Sequence, residues 1–265
     1  MMLGWRYGEG GAQPYECILL VEDTLSNRQL TQMILQQAGF LVELASSGEE
    51  AVVAAYNKRY ELILMDCVMP GMDGYQATER IRREGGCSSR VPIIALTANT
   101  VAGVEEVCRE AGMNGVLSKP LELTRLRDLL PGVFRSGEAS VSADMTTYVQ
   151  RPHCHAVLAS GQRIGGLYDR LGVARFELLR RTTLASLELL IQELLLAHRC
   201  DDRALLQRLL HSLKSSVANY GADELVTLAQ QLEYCCLDQA LSARQLQQLQ
   251  HLLQQFTAAL ADYRR

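Results

Sequence analysis

Residues 62–74 read LILMDCVMPGMDG. Four apolar residues of strand length run into an aspartate, Asp66, and the chain then turns through Pro70, Gly71 and Gly74. Such a run, apolar throughout rather than alternating, predicts a strand buried on both faces. Working outward, CILLV (17–21), LVELA (41–45), PIIAL (92–96) and GVLS (115–118) share this grammar. Helix-length amphipathic segments separate them at 25–38, 48–57, 74–83, 101–111 and 122–130. Five strands alternating with five helices predict an α/β unit with a five-stranded, parallel, doubly wound sheet. From residue 165 onward strand-like runs disappear and 3.6-residue periodicity takes over. Helices are expected near 173–197, 202–219, 222–237 and 242–263, forming an all-α four-helix bundle. Between the halves, Ser136, Gly137, Ser140, Ser142 and Pro152 mark a linker without periodicity. The division is therefore an N-terminal extension 1–15, an α/β unit 16–134, a linker 135–155 and a helical unit 156–265.

The 265 residues are 48% hydrophobic and 21% charged, enough for sizeable cores and incompatible with wholesale disorder. The longest apolar stretch, 187–197, is broken by Glu188, Gln192 and Glu193, so no membrane insertion is expected. The N-terminus lacks the apolar run of a signal peptide. Eight cysteines form no C-x-x-C pair, and free buried thiols in a reducing, cytoplasmic setting are expected. Formal net charge is −4, and it divides unevenly. Residues 16–134 hold 11 basic and 16 acidic residues, and residues 156–265 hold 12 and 11. A helical half at +1 with no basic recognition helix argues against a nucleic-acid partner.

In a parallel sheet, ligands bind beyond the carboxyl ends of the strands, where the strand order reverses. Glu22 and Asp23 follow the first strand, Asp66 the third, Thr97 the fourth and Lys119 the fifth. Each is a weak signal alone, but together they line one edge. Three crowded carboxylates repel one another, and a hard cation such as Mg²⁺ relieves that repulsion. A carboxylate can then attack phosphorus to form an acyl phosphate, with Lys119 and the Thr97 hydroxyl balancing the phosphoryl oxygens.

LLVED (19–23), MDCVMPGMDG (65–74), ALTAN (95–99) and SKP (118–120) together make residues 16–134 resemble the receiver domain of two-component response regulators and hybrid sensor kinases. The resemblance implies a flavodoxin-like fold with Asp66 as phosphoacceptor. It also implies Mg²⁺ on Asp23, Asp66 and the Val68 backbone carbonyl, with Glu22 holding it through water. Lys119 pairs with the phosphoryl group in that scheme, Thr97 swings toward it, and the Lys119–Pro120 bond is cis. One position departs from the pattern. Val116 stands where many receivers carry an aromatic switch residue, which puts the aromatic part of the usual conformational signal in doubt.

In the helical half, Leu206, Leu210, Leu213 and Val217 form one buried stripe on the predicted helix 202–219. His211 lies about a quarter-turn away by the 100° helical step. Small residues on its C-terminal side predict a shallow, approachable surface. A neutral imidazole is a competent nucleophile toward phosphorus, and Arg208 and Lys214 would offset the incoming negative charge. HSLKSSVANYGA (211–222) resembles the H-x-x-K-G-S signature of histidine phosphotransfer (HPt) domains, four-helix bundles with one exposed phosphorylatable histidine. Ser215 replaces the usual Gly and adds a hydroxymethyl group beside His211. His153, Cys154 and His155 fall in the linker without a fourth ligand, an incidental grouping.

The two halves together predict an intermediate of a His–Asp phosphorelay. A sensor histidine kinase phosphorylates Asp66, Asp66 and His211 exchange the group, and His211 trades it with a downstream response-regulator receiver. No P-loop and no Gly-rich kinase lid is visible, so the chain is expected to transfer phosphate without its own kinase module. The same halves also suit the C-terminal portion of a hybrid histidine kinase. Alternatives from other classes are a phosphorylation-switched binding module with an idle His211 and an aspartyl-phosphate hydrolase. The hydrolase is disfavoured because it needs a second Asp where Val68 stands.

Overall fold

The computed structural model describes residues 17–98, 103–129 and 161–263. The predicted extension and linker, with His153, Cys154 and His155, lie outside the described residues. Five strands, β1 (Cys17–Val21), β2 (Leu41–Ala45), β3 (Leu62–Asp66), β4 (Ile93–Thr97) and β5 (Gly115–Ser118), form one sheet. Its order is β2-β1-β3-β4-β5 and every pairing is parallel. Helices α1 (Leu25–Gln37), α2 (Gly48–Asn57), α3 (Gly74–Glu84), α4 (Val104–Glu110) and α5 (Leu123–Leu129) alternate with the strands.

The apolar runs are buried on both faces because successive side chains point to opposite sides of the sheet. Ile18, Leu20, Leu62, Leu64, Ile94 and Leu96 pack with Leu35 of α1 and Leu126 of α5. Leu19, Val21, Ile63, Met65, Ile93 and Ala95 pack with α2, α3 and Cys108 of α4. The sheet is thus a doubly wound layer, as its sequence predicts. β2 is the exception: it lies at the sheet edge, where Leu41 and Leu44 remain exposed despite their apolar run.

Local signals set the helix boundaries. The Asp73 carboxylate accepts from the Gln76 amide at 2.8 Å, and the Gln76 side chain returns the bond, closing a capping box at the start of α3. Ser242 and Gln245 do the same for a later helix, and Asp202 caps another through the Leu205 amide at 2.9 Å. These caps satisfy amide groups that the first helical turn leaves free.

The helical half contains α6 (Gly161–Leu171), α7 (Val173–Arg199), α8 (Arg203–Ala218), α9 (Asp223–Asp238) and α10 (Ala243–Asp262). The four predicted helices are present as α7–α10, and α6 precedes them. Ile164, Leu167 and Leu171 give α6 a buried i, i+3, i+7 stripe, but Gly165 and Gly166 weaken its helical signal in the sequence. Gly172, at φ +75°, separates α6 from α7 in a conformation that L-residues rarely adopt. The stripe Leu206, Leu210, Leu213 and Val217 is buried as expected. Phe256 of α10 meets the Tyr220 ring at 6.0 Å, edge on, and the Tyr220 and Thr183 hydroxyls share a 2.7 Å bond.

The two halves touch. Leu30 and Ile34 of α1 are only 3% and 4% exposed, and both belong to the apolar cluster of the helical bundle, not to that of the sheet. Leu35, one residue on from Ile34, packs against the sheet.

Truncating Leu210 to Ala should destabilise the protein by about 2–5 kcal/mol, since it removes a fully buried side chain. Leu189→Ala, at a position 63% exposed on α7, should change stability by less than about 0.5 kcal/mol. Urea unfolding of the two variants tests this assignment of inward and outward faces.

Candidate functional site

The sheet order places β1 beside β3, with β2 and β4 on the outer flanks, so the direction of winding reverses between β1 and β3. The strand register brings Val21 level with Met65, Asp66 with Leu96 and Thr97 with Ser118. Residues immediately beyond these positions therefore meet at one rim. Glu22, Asp23 and Asp66 each present a carboxylate oxygen within 4.8 Å of the others. Glu22 and Asp66 are buried and Asp23 is partly buried.

Lys119 completes the cluster. Its Nζ lies 2.6 Å from Asp66 Oδ2 and 2.6 Å from Glu22 Oε2. The Lys119–Pro120 bond that follows is cis, as expected. Burial raises the Asp66 carboxyl well above its ordinary value, and the nearby Glu22 charge adds to this, although Lys119 opposes both. Burial and Glu22 also raise Asp23, again against Lys119. Burial by itself would lower the Lys119 ammonium, but Asp66 and Glu22 outweigh it and the net shift is upward. One ammonium thus faces three carboxylates, and the site retains a surplus of negative charge.

Neighbouring groups fix the acidic pair in place. Asn27 Nδ2 donates to Glu22 Oε1 at 3.1 Å, and Thr24 Oγ1 donates to Asp23 Oδ1 at 3.1 Å. The Arg28 guanidinium donates to the backbone carbonyls of Glu22 and Asp23 at 2.5 and 3.1 Å. Sequence reading did not select Asn27 or Arg28. Their one available signal was a position on the first helical turn directly after the acidic pair. The Val68 amide donates to Asp66 Oδ1 at 3.3 Å. Thr97 is buried at the end of β4. Gly74 is required by close approach, because a Cβ there would lie 2.1 Å from the Asp66 carbonyl oxygen.

The second cluster lies on α8 and α9. His211 Nδ1 is 2.8 Å from Glu233 Oε1, and Lys214 Nζ donates to Glu233 Oε2 at 2.6 Å. Although burial would raise the Glu233 carboxyl, hydrogen bonds from His211 and Lys214 prevail and hold it below its ordinary value. An ionised carboxylate only accepts hydrogen bonds, so His211 Nδ1 carries a proton and points it at Glu233. Glu233 was not among the expected site residues. It follows His211 by 22 positions, and only the antiparallel packing of α8 on α9 brings the two together.

The expected approachable surface is not observed. His211 is 6% exposed and Lys214 1%, and Ser215 is also buried. α7, α9 and α1 all pack on α8, and His211, Lys214 and Ser215 are buried along with its apolar stripe. A single-helix pattern cannot reveal this coverage. Lys214 is moreover already paired with Glu233, whereas Arg208, one turn before His211, is exposed.

Residues 18–131 match the family model of the response regulator receiver domain, and residues 178–261 match that of the Hpt domain. Histidine kinase 5 of Arabidopsis thaliana is 36% identical over 138 residues, which are 43% of this chain and 15% of that protein. Sensor histidine kinase AruS of Pseudomonas aeruginosa is 35% identical over 155 residues, 58% of this chain and 15% of that protein. The chain therefore spans about 15% of the length of these curated relatives. A solved receiver domain of sensor histidine kinase PA1611 from Pseudomonas aeruginosa carries a magnesium ion in its active-site cleft. It is 44% identical, covers 45% of this chain and 98% of its own, and aligns with a TM-score of 0.41. No helix among the described residues is long and apolar enough to cross a membrane. The carboxylate rim and the histidine helix thus fall in two recognised modules, and the chain belongs to both families: residues 18–131 are a response regulator receiver domain and residues 178–261 an Hpt domain.

Proposed function

We propose that this chain is a phosphorelay intermediate in which Asp66 accepts a phosphoryl group and exchanges it with His211. The observation that carries the reading is the pair of complementary sites within one chain. One is a crowded carboxylate held by Lys119, and the other is an imidazole whose Nδ1 proton is held by Glu233.

The donor set suits Mg²⁺: hard carboxylate oxygens, converging and in excess of the local positive charge. Asp23 and Asp66 would hold the ion with the Val68 carbonyl, and Glu22 would hold it through water. Bound there, the ion supplies positive charge for the phosphoryl oxygens. Asp66 attacks phosphorus through a carboxylate oxygen while the donor's bond to phosphorus breaks and its electrons leave with the donor, and Lys119 orients that carboxylate and opposes in part the effect of burial on its charge. Thr97, at the end of β4, would meet a phosphoryl oxygen through its hydroxyl.

On transfer to the helical half, the bond between the Asp66 oxygen and phosphorus breaks and a bond from His211 Nε2 to phosphorus forms. The Asp66 carboxylate leaves with the bonding electrons, and the Nδ1 proton stays in its bond to Glu233. Arg208 and Lys214 offset the charge gained by the imidazole, and Ser215 lies one turn beyond. A sensor histidine kinase supplies the phosphoryl group, and a downstream receiver exchanges it with His211, in the cytoplasm and without nucleic acid. The named relatives are histidine kinases far longer than the matched stretch, and the same chemistry holds if donor and relay share one polypeptide.

With acetyl phosphate and Mg²⁺, the chain should acquire an alkali-labile acyl phosphate and an acid-labile phosphoramidate. Asp66→Ala should abolish both, and His211→Ala only the second. Phosphoramidate that persists in Asp66→Ala would show that the two sites do not act in series.

Glu233→Gln should slow phosphoramidate formation, because the amide can present either a donor or an acceptor to Nδ1. It should also flatten the acid limb of stability. The Glu233 carboxyl is depressed in the folded chain, so its stabilisation is present above the unfolded value near 4.5 and is lost as pH falls through the folded value. Urea unfolding at pH 7 and pH 4 should show a larger loss for the parent chain than for the variant. Equal losses would contradict the charge pairing.

A further inference from the structure

Asp66 is followed by a cysteine, and the relay chemistry gives that cysteine no task. Cys67 and Cys108 of α4 are free thiols, each 1% exposed, in the apolar cluster on one face of the sheet. The two thiols share a hydrogen bond, and the Tyr75 hydroxyl on α3 bonds to both. The bonds from Cys67 and Tyr75 favour the Cys108 thiolate and hold this thiol below its ordinary value, against burial and the Glu105 charge. Apolar packing explains a single buried cysteine. It does not explain two sulfurs and a phenol paired in one place.

The backbone around Cys67 has little slack. Its amide donates to the Leu96 carbonyl on β4 at 3.3 Å, and its carbonyl accepts from the Gly74 amide at 3.1 Å. On one side stands Asp66, and on the other Val68, whose amide donates to Asp66 Oδ1 at 3.3 Å. A pull on Cys67 is therefore felt at the acidic rim. Cys108 sits on a looser element. α4 spans seven residues, and Gly103, at φ +101°, precedes it without a side-chain cap. A helix that short is marginal by itself, so it opens at lower cost than the sheet beneath it. Such opening admits small solutes to both thiols.

We propose that Cys67 and Cys108 are a redox modification site: hydrogen peroxide closes them into a disulfide that displaces the Asp66 rim, and an external thiol reopens it. The Cys108 sulfur attacks a peroxide oxygen, the O–O bond breaks, and the departing hydroxide becomes water with the proton of that thiol. Cys67 then attacks the sulfur of the resulting sulfenic acid, the S–O bond breaks, and a second water leaves with the Cys67 proton. Two thiols thus lose two electrons while one peroxide is reduced to two waters. Closing the contact to the ~2.05 Å of a disulfide draws the end of β3 and α4 together. The consequence for phosphorylation rests on the reading of Asp66 as phosphoacceptor, whereas the cross-link itself does not.

The test treats the full-length chain with hydrogen peroxide. After alkylation of the remaining thiols and proteolysis, mass spectrometry should find the Cys67 and Cys108 peptides joined, and dithiothreitol should separate them. Acyl phosphate formation from acetyl phosphate and Mg²⁺ should fall by about 100-fold in the oxidised chain, the scale set by an ångström of misplacement, and return on reduction. Cys108→Ala and Cys108→Ser should phosphorylate at the parent's rate and keep that rate after peroxide. Cys87→Ala, at an exposed thiol, should stay as peroxide-sensitive as the parent. Oxidation confined to Cys87 and Cys200, which is also exposed, would overturn the site. A joined peptide with unchanged acyl phosphate formation would overturn the coupling to Asp66. A reduced chain that forms no acyl phosphate overturns the relay reading and the coupling with it, and the joined peptide then still decides the disulfide.

Discussion

One buried ammonium faces three carboxylates at the carboxyl edge of the sheet, and the receiver half is organised around that imbalance. Lys119 contacts Asp66 and Glu22 at 2.6 Å each, while burial and mutual repulsion push Asp66 and Asp23 upward. Burying unmatched charge is costly, so the arrangement suits a ligand that brings positive charge and not a structural salt bridge. The strand register sets the rim, Gly74 lets α3 start against the Asp66 carbonyl, and Asn27, Thr24 and Arg28 brace the acidic pair. Phosphoryl chemistry at such a site depends on positioning and charge compensation, and rigid strand ends supply the positioning.

The histidine site follows a different logic. Its nucleophile sits on a regular helix, and its orientation comes from a single carboxylate on the neighbouring one. Glu233 binds His211 and Lys214 together, so it both sets the imidazole tautomer and neutralises the only buried ammonium described in that half. The two sites thus use mirrored arrangements: a lysine bridging carboxylates in one, a carboxylate bridging cations in the other. α1 belongs to both, packing Leu35 on the sheet and Leu30 with Ile34 on the bundle.

Most of the receiver half was legible in the sequence because its determinants are local. Apolar runs of strand length separated by amphipathic helices specify a parallel sheet, and a parallel sheet dictates that Glu22, Asp23, Asp66, Thr97 and Lys119 share an edge. β2 shows the limit of the pattern, since edge or centre is decided by strand order, which LVELA does not encode. The helical half was legible in its stripe and less so in its surface. α6 escaped notice because two adjacent glycines interrupt a valid periodicity. The burial of His211 escaped because it comes from packing against other helices, and a helical wheel reports on one helix at a time. For the same reason Glu233, despite its direct contact with the histidine, carried no mark in the sequence that set it apart from a solvent-facing acid.

The order of events on the intact chain tests the central claim most directly. Phosphorus-31 NMR of the full-length protein after addition of acetyl phosphate and Mg²⁺ would follow both phosphorylated residues at once. An acyl phosphate signal should rise first, and a phosphoimidazole signal should then grow at its expense. Phosphoimidazole that appears first, or an acyl phosphate that decays to inorganic phosphate with no phosphoimidazole, would contradict the exchange between Asp66 and His211.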